Sequence, residues 1–525
     1  MKKKQTLLLL ICLTLIGFAI RIYKVDKLPA ILNRDEAALA YNALLLKETG
    51  KDEWQRSWPF ALESFGDYKL PGYPYLLLIF FQFLPYTDLI VRLPSILAGS
   101  LLIFCSYYFA RAFDLKKKSA LLFSLLILFT PVFFFYSRMA WEANVALLLT
   151  VIMFTLILKA KNKYLDLLAA LLTLLIVFTY NSPLLILPFI IIAIPPLRGI
   201  KKAKKWLFIS TALSFVFLFA TYKLLPLSSQ KSGITIFNDE TITVNYPAYR
   251  ANFPSALQAI FGNKYIYWLK IINRNFYKSF SFNFLVENGG SHPWHIIPGH
   301  GHLFYLTYYF ALLGFFYFFY RSLVFITGLI KKKRNLASLK IIKKAFTANK
   351  KTFLLVYLLV ISLLPSIITV DSPHATRSLL FFYLFSLIAI KTIEKLKPSR
   401  LIFFILGLVL LFEISWYYKD YFFKYPNHQY SFKPGFEETI KEVEKEYSDK
   451  EVAIVDSGYQ YIVLAWYLKI KPELYFSTVV RQQADKIGLK YGERVTHYHF
   501  IGREDDRSSE EVLLLKWNDR IWKRK

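Results

Sequence analysis

Asp35 and Glu36 stand side by side in a short polar run, Asn33-Arg34-Asp35-Glu36-Ala37, just after an apolar N-terminal segment. A carboxylate in such a place can take the proton of a hydroxyl nucleophile. On a helix, adjacent side chains point about 100° apart, so only one of the two can address a given site. The competing reading is an acidic first turn that favours the helix dipole.

Cations recur at comparable positions. Lys69 ends the run Ser64-Phe65-Gly66-Asp67-Tyr68-Lys69 before a short apolar stretch, and either snorkels to headgroups or holds an anionic phosphate at that depth. Arg377 closes the tight turn Asp371-Ser372-Pro373-His374-Ala375-Thr376-Arg377, where it meets a phosphate or anchors the interface. Arg138 and Glu142 share a polar island between apolar segments, so they face a cavity or pair at i, i+4. Four of the eight histidines, His292, His295, His300 and His302, crowd Ser291–Leu303. Their spacing matches no standard zinc pattern, and the prolines and glycines among them suggest a substrate-binding or structural loop.

The elements that position these groups are membrane spans. The 525 residues are 55% hydrophobic and 18% aromatic with a mean hydropathy of +0.36, which excludes a soluble globular chain. The formal charge of +30 points to no nucleic acid, because the lysines come in short runs between apolar segments: Lys2–Lys4, Lys116–Lys118, Lys201–Lys205 and Lys331–Arg334. Cys12 and Cys105 lie inside apolar segments and make no disulfide or zinc pattern.

If the N-terminus is a cytoplasmic signal anchor, the basic runs stay on one side only when the proline-bounded stretch Tyr73–Leu84 does not cross. That stretch is therefore read as re-entrant or interfacial. About eleven transmembrane helices remain, at about 5–23, 93–112, 119–136, 145–158, 165–181, 183–197, 206–222, 303–328, 352–369, 378–394 and 400–418. The fold expected is an all-α polytopic membrane domain over 1–420, with outer loops at 24–70 and 223–302. A small extracytoplasmic α/β domain follows over 421–525, with helix-like Glu437–Tyr447 and strand-like Glu451–Val455. All the candidate residues then fall on the face opposite the lysines.

The runs Asn33-Arg34-Asp35-Glu36-Ala37-Ala38, Tyr41-Asn42-Ala43, Thr49-Gly50-Lys51-Asp52-Glu53, Phe65-Gly66-Asp67-Tyr68-Lys69, Val91-Arg92-Leu93-Pro94-Ser95 and Ser372–Ser378 resemble bacterial C-type membrane glycosyltransferases, in the protein mannosyltransferase and aminoarabinose transferase branch. The resemblance spans about the first 400 residues. It implies transfer of a sugar from a polyprenyl-phosphate carrier to a hydroxyl on a protein, lipid or envelope glycan, at the outer face of the cell membrane. It also implies that Asp35 is the catalytic carboxylate, with Glu36 beside it, and that Lys69 meets the lipid phosphate; Arg377, a second cation in an outer loop next to a membrane-entering segment, is expected to share that role on electrostatic grounds. The acidic residue after the third full helix is Glu142 where the family has aspartate. Glu142, Arg138 and His374 are then supporting residues or ligands of a divalent metal, and His295, His300 and His302 are candidates for the acceptor side. No nucleotide is expected, since no glycine-rich phosphate loop occurs. A secondary transporter or lipid-glycan flippase is the rival reading, although the charges gather in one face's loops rather than at mid-membrane.

Overall fold

The computed structural model describes residues 3–159, 163–198, 233–331 and 350–524, with short breaks at 457, 486–487, 507, 510–511 and 519–520. Its first part comprises α1 (Lys3–Ile22), α2 (Arg34–Thr49), the hairpin β1 (Leu62–Ser64) and β2 (Asp67–Lys69), and α3 (Gly72–Phe81). There follow α4 (Asp88–Ala112), α5 (Lys117–Phe129), α6 (Pro131–Ser137), α7 (Glu142–Lys159), α8 (Lys163–Thr179) and α9 (Ser182–Arg198). After the long loop with α10 (Glu240–Ala251) and α11 (Lys264–Ser279) come α12 (Tyr305–Lys331), α13 (Lys350–Ile367), α14 (Leu379–Leu396) and α15 (Arg400–Lys419).

Five of these helices, α1, α4, α7, α13 and the run from Arg400, are long and apolar enough to cross a bilayer. A sixth span forms if α5 and α6, bent by 52° at Thr130, are taken together. Helices α8 and α9 stop at 17 residues, and α14 carries Lys391, Glu394 and Lys395 near its end. Helices occupy every expected segment except 206–222, which lies outside the described residues together with the Lys201–Lys205 run and residues 332–334.

Helix α3 has only 10 residues, about 15 Å of rise, half of a bilayer core. Both its ends lie at the same end of the bundle. Gly72 abuts the end of α8, where a Cβ would stand 2.7 Å from Thr179 Oγ1, and Phe81 stacks on Trp466 of the C-terminal part. Its two ends thus pack against the end of α8 and against the C-terminal part.

The helices sort their charges by end. At one end, Lys351 pairs with Asp114, Lys391 donates to the Phe113 carbonyl, and Glu394 accepts from the backbone of Lys116. At the other end of α4, α7 and α14 lie Asp88, Glu142 and Leu379, about 27 Å away along an 18-residue helix.

Two fully buried arginines hold the bundle's irregular points. The bend at Thr130–Pro131 frees backbone carbonyls, and Arg21 donates to those of Leu128 and Phe133 as well as Gly17. Arg138 donates to the carbonyls of Ile20, Arg21, Tyr23 and Leu28, and its Nε to Tyr421 Oη. It thus closes the C-terminal turn of α1, where a cation also suits the dipole.

The C-terminal part is a six-stranded sheet of order β4-β5-β6-β3-β7-β8. Its strands are β3 (Val452–Val455), β4 (Val480–Arg481), β5 (Gly492–Val495), β6 (Tyr498–Ile501), β7 (Leu513–Asn518) and β8 (Ile521–Arg524). The central β3 runs parallel to β6 and β7, and the outer pairs are antiparallel. Helices α16 (Phe436–Glu446), α17 (Tyr461–Tyr467) and α18 (Pro472–Thr478) accompany it.

This unit sits directly on the first loop. Tyr41 donates to the Ile470 carbonyl, Tyr461 and Tyr475 donate to the fully buried Glu53, and Trp466 and Tyr467 donate to Asp88. One consequence is that α2 has no solvent-facing side along most of its length. Every residue from Glu36 to Leu46 is buried, because α17 covers the face of α2 that would otherwise meet water.

Candidate active site

Helix α2 begins at a capping box. The Asn33 side chain accepts from the backbone of Asp35 and Glu36, and Glu36 reaches back to the Asn33 N–H. This fixes the directions of the two carboxylates. Glu36 turns inward, is 0% exposed, and accepts from Arg92 at 3.1 Å and from the Ala140 N–H at 2.7 Å. Arg92 spends its other donors on the carbonyls of Val25, Pro29 and Ile31.

Asp35 turns outward, with its side chain 24% exposed, and accepts from Lys69 Nζ at 2.8 Å. Lys69 is delivered by the hairpin, whose tight turn needs Gly66 at φ +81; a Cβ there would lie 2.4 Å from the Gly488 carbonyl. Phe65 accepts from the Lys490 N–H, so the C-terminal unit holds the hairpin tip. Along β2 the side chains alternate, and Asp67, two residues back, shares the Lys69 face at 3.6 Å. Burial alone would lower the pKa of Lys69, but Asp35 and Asp67 hold it above the ordinary lysine value.

These groups line one polar cavity of about 190 Å³ with Glu142, Tyr180, Asn181, His292, His295, His374 and Arg377. Glu142 opens α7, and Arg377 follows α13 in the turn before α14. Arg377 donates to Thr369 Oγ1 at 2.8 Å and to Asp371. Its charge keeps Asp371 below the usual carboxylate range against the opposing effect of burial. His374 is pulled down to about 3 by burial and by Arg377 beside it, and burial holds His295 and His292 low as well. The three rings are in contact: His292 stacks on His295 at 4.1 Å, and His295 meets His374 edge-on at 5.0 Å. At neutral pH the cavity therefore has a neutral histidine cluster alongside Lys69 and Arg377.

Sequence reasoning named four further residues that lie elsewhere. Glu36 is enclosed by Arg92, Asn33 and Ala140. Arg138 caps α1 and makes no pair with Glu142. His300 bonds Asp420 at 2.9 Å beside Trp416, and His302 bonds the Gly289 carbonyl, with burial holding it down to about 4. Both serve to fold the loop: the Leu303 and His302 N–H groups donate to Leu285, and His302 in turn accepts from Val132 at the start of α6.

Asp67 and Tyr180 were not singled out from sequence, and His292 only as part of the histidine-rich loop. For Asp67 the signal was available in the two-residue spacing to Lys69. Among the described residues no three His, Cys, Asp or Glu side chains converge as metal ligands. Asp35 Oδ1 is instead paired with the Lys69 ammonium at 2.8 Å. The donor set does not fit a metal centre.

Below the polar cavity runs a narrow apolar groove between α7 (Ala146, Leu147), α9 (Ile186, Leu187) and α14 (Leu379, Leu380). Cavity and groove share Ala143, Tyr180, Thr376 and Arg377, so an apolar groove adjoins the polar cavity at these residues.

Residues 69–222 match the family described as dolichyl-phosphate-mannose-protein mannosyltransferase. No curated protein matches the chain. Among solved structures, the oligosaccharyltransferase of Archaeoglobus fulgidus tethered to an acceptor peptide is 13% identical over 89% of this chain and 63% of its own, at TM-score 0.51. The same organism's AglB, in complex with an inhibitory peptide and a dolichol-phosphate, gives 13% identity over 89% and 64%, at TM-score 0.50. The chain thus spans a little under two thirds of the length of these archaeal proteins. ArnT of Cupriavidus metallidurans with undecaprenyl phosphate is less similar, at 10% identity over 89% and 85% and TM-score 0.39. From its helices, its fold and the matched segment, the chain is a polytopic membrane protein with the C-type glycosyltransferase fold.

Proposed function

We propose that the protein transfers a sugar from a polyprenyl-phosphate carrier to an acceptor hydroxyl. The observation that carries this reading is the adjacency of the two cavities: a polar chamber that holds Lys69 and Arg377 shares Arg377 with a narrow apolar groove between α7, α9 and α14. A lipid phosphate has the matching shape, with its headgroup beside Lys69 and Arg377 and its chain between α7, α9 and α14. The mannosyltransferase-type segment supports the same donor class.

In this mechanism Asp35 accepts the proton of the acceptor hydroxyl as its oxygen bonds to the anomeric carbon from the face opposite the phosphate. The bond from that carbon to the phosphate oxygen breaks, and the electron pair leaves with the polyprenyl phosphate. The anomeric configuration inverts, because one displacement occurs and a single carboxylate acts. Lys69 and Arg377 stand where the phosphate charge grows. The arriving phosphate also competes with Asp35 for Lys69, which releases a carboxylate oxygen for the hydroxyl.

The site lies at the helix ends opposite the lysines, so under positive-inside topology it faces outward with the C-terminal unit. Incubating the purified protein with radiolabelled polyprenyl-phosphate sugars should release free lipid phosphate in the presence of acceptor. Silence across hexose and pentose donors, with the protein folded, would refute the reading. Cysteines placed at Ser448 and Ser508 should react with an impermeant thiol reagent on intact cells, and labelling only after lysis would reverse the orientation.

A further inference from the structure

A second cavity, of about 300 Å³, adjoins the Asp35 chamber and shares His292 with it. The first turn of α2 stands between the two, so Asp35 lines one and its neighbour Arg34 lines the other. The far wall belongs to the C-terminal unit and the segment leading to it.

Arg34 is held in an aromatic cage: its guanidinium carbon lies 4.8 Å from the Tyr459 ring centroid, 5.2 Å from Phe65, and 5.5 Å from Trp294 and Tyr491. It donates to Tyr491 Oη at 3.1 Å, while its Nε has no hydrogen-bond partner. The rings fix the fork without neutralising it. Lys433 and Asp456, 3.0 Å apart, add a donor and an acceptor of cancelling charge to the same wall. The chamber is therefore positive overall, with neighbouring donor and acceptor groups and an exposed ring at Tyr459. Its volume suits a small ligand rather than an extended peptide.

We infer that this cavity is the acceptor subsite and takes a pyranose bearing a carboxylate or phosphate. The anion meets Arg34, ring hydroxyls meet Lys433 and Asp456, and a sugar face rests against Tyr459. A hydroxyl directed past His292 then points towards Asp35. The inference builds on the glycosyl-transfer reading, but its ligand class can be tested without turnover.

The test is saturation-transfer NMR on the full-length protein in detergent, in an Asp35→Asn background, with glucose, glucose 6-phosphate, glucuronic acid and inorganic phosphate as probes. Either or both anionic sugars should bind at least about fivefold more tightly than glucose or phosphate alone, and which of them does so identifies the anion. Arg34→Gln should abolish that preference and Arg34→Lys retain part of it. Tyr459→Ala, at an exposed ring, should weaken every sugar.

Equal affinities for all four probes, or an unchanged preference in a folded Arg34→Gln protein, would overturn the inference. So would anionic-sugar binding that disappears with Lys69→Ala but survives Arg34→Gln, since that places the ligand in the donor chamber. A silent donor panel alongside Arg34-dependent sugar binding would sink the transfer reading while supporting the ligand class.

Discussion

One residue apart on the same helical turn, Asp35 and Glu36 each meet a cation, and the two ion pairs have opposite settings. Glu36 and Arg92 are both 0% exposed, and backbone groups take up their remaining hydrogen-bonding capacity. Asp35 and Lys69 are 24% and 9% exposed, line a cavity, and have further anionic and cationic neighbours in Asp67 and Arg377. A closed network fixes a shape, whereas a pair with a cavity beside it can exchange partners with a ligand. Charge type alone does not separate structure from chemistry here. What separates them is burial, complete for one pair and partial for the other, and the cavity that only the second pair lines.

The largest effect should come from breaking the closed pair. Arg92→Ala leaves a buried carboxylate facing only N–H donors and releases the carbonyls of Val25, Pro29 and Ile31, so it should cost about 3–5 kcal/mol of stability. Thermal unfolding in detergent reads this. The double variant Glu36→Gln/Arg92→Met should recover part of the loss, and a folded, normally stable Arg92→Ala protein would remove the distinction between the pairs.

Asp35→Asn tests the other pair. It keeps the shape but removes proton acceptance, so turnover should fall by about 100-fold or more while thermal stability moves little. Normal turnover, or a collapse in stability equal to that of Arg92→Ala, would make Asp35 a second structural carboxylate. Lys69→Ala should be milder. Losing one charge-assisted contact to phosphate lowers kcat/KM for the donor by about ten- to a hundredfold and leaves the acceptor KM unchanged. Arg377→Gln should cost less again, since Asp371 and Thr369 already engage that guanidinium.

Local sequence carried much of this comparison. Hydropathy marks the spans, and the alternation of basic runs marks the stretch that becomes the short α3. The polar runs around Asp35, Lys69, Glu142 and His374–Arg377 all reach one cavity because each sits at a helix end on the same side of the bundle. The partner of Glu36 was not legible: Arg92 is 56 residues away, and only the crossing of α4 behind α2 brings them together. Arg138 looked like a site residue for a related reason. An arginine in an apolar island has a cost that sequence cannot resolve, and here it is met by carbonyls at the end of α1, more than a hundred residues back. The burial of α2 on every side depends on docking of the C-terminal unit, which no periodicity within the helix reveals.

The smallest expected effect concerns the neutral histidine cluster. His374 sits at about 3 in the fold against 6.5 in an unfolded chain, because it is buried and faces Arg377, with Asp371 opposing and His292 and His302 adding to the depression. Between those values the unfolded state binds the proton and the fold does not, so stability rises with pH across this window and levels off above about 6.5. Falling pH should therefore remove roughly 1 kcal/mol per unit from this group, starting near 6.5. Unfolding temperatures at pH 7.5, 6.5 and 5.5 should decline more steeply in the wild type than in His374→Gln, whose side chain can still bond Thr376 but cannot be protonated. Parallel profiles would mean an unshifted His374, and a wild type that gains stability over His374→Gln as pH falls would mean that it is already charged in the fold. In that last case it would belong with Lys69 and Arg377 among the cations that meet a phosphate, and the division between the cationic and neutral groups of the cavity would have to be redrawn.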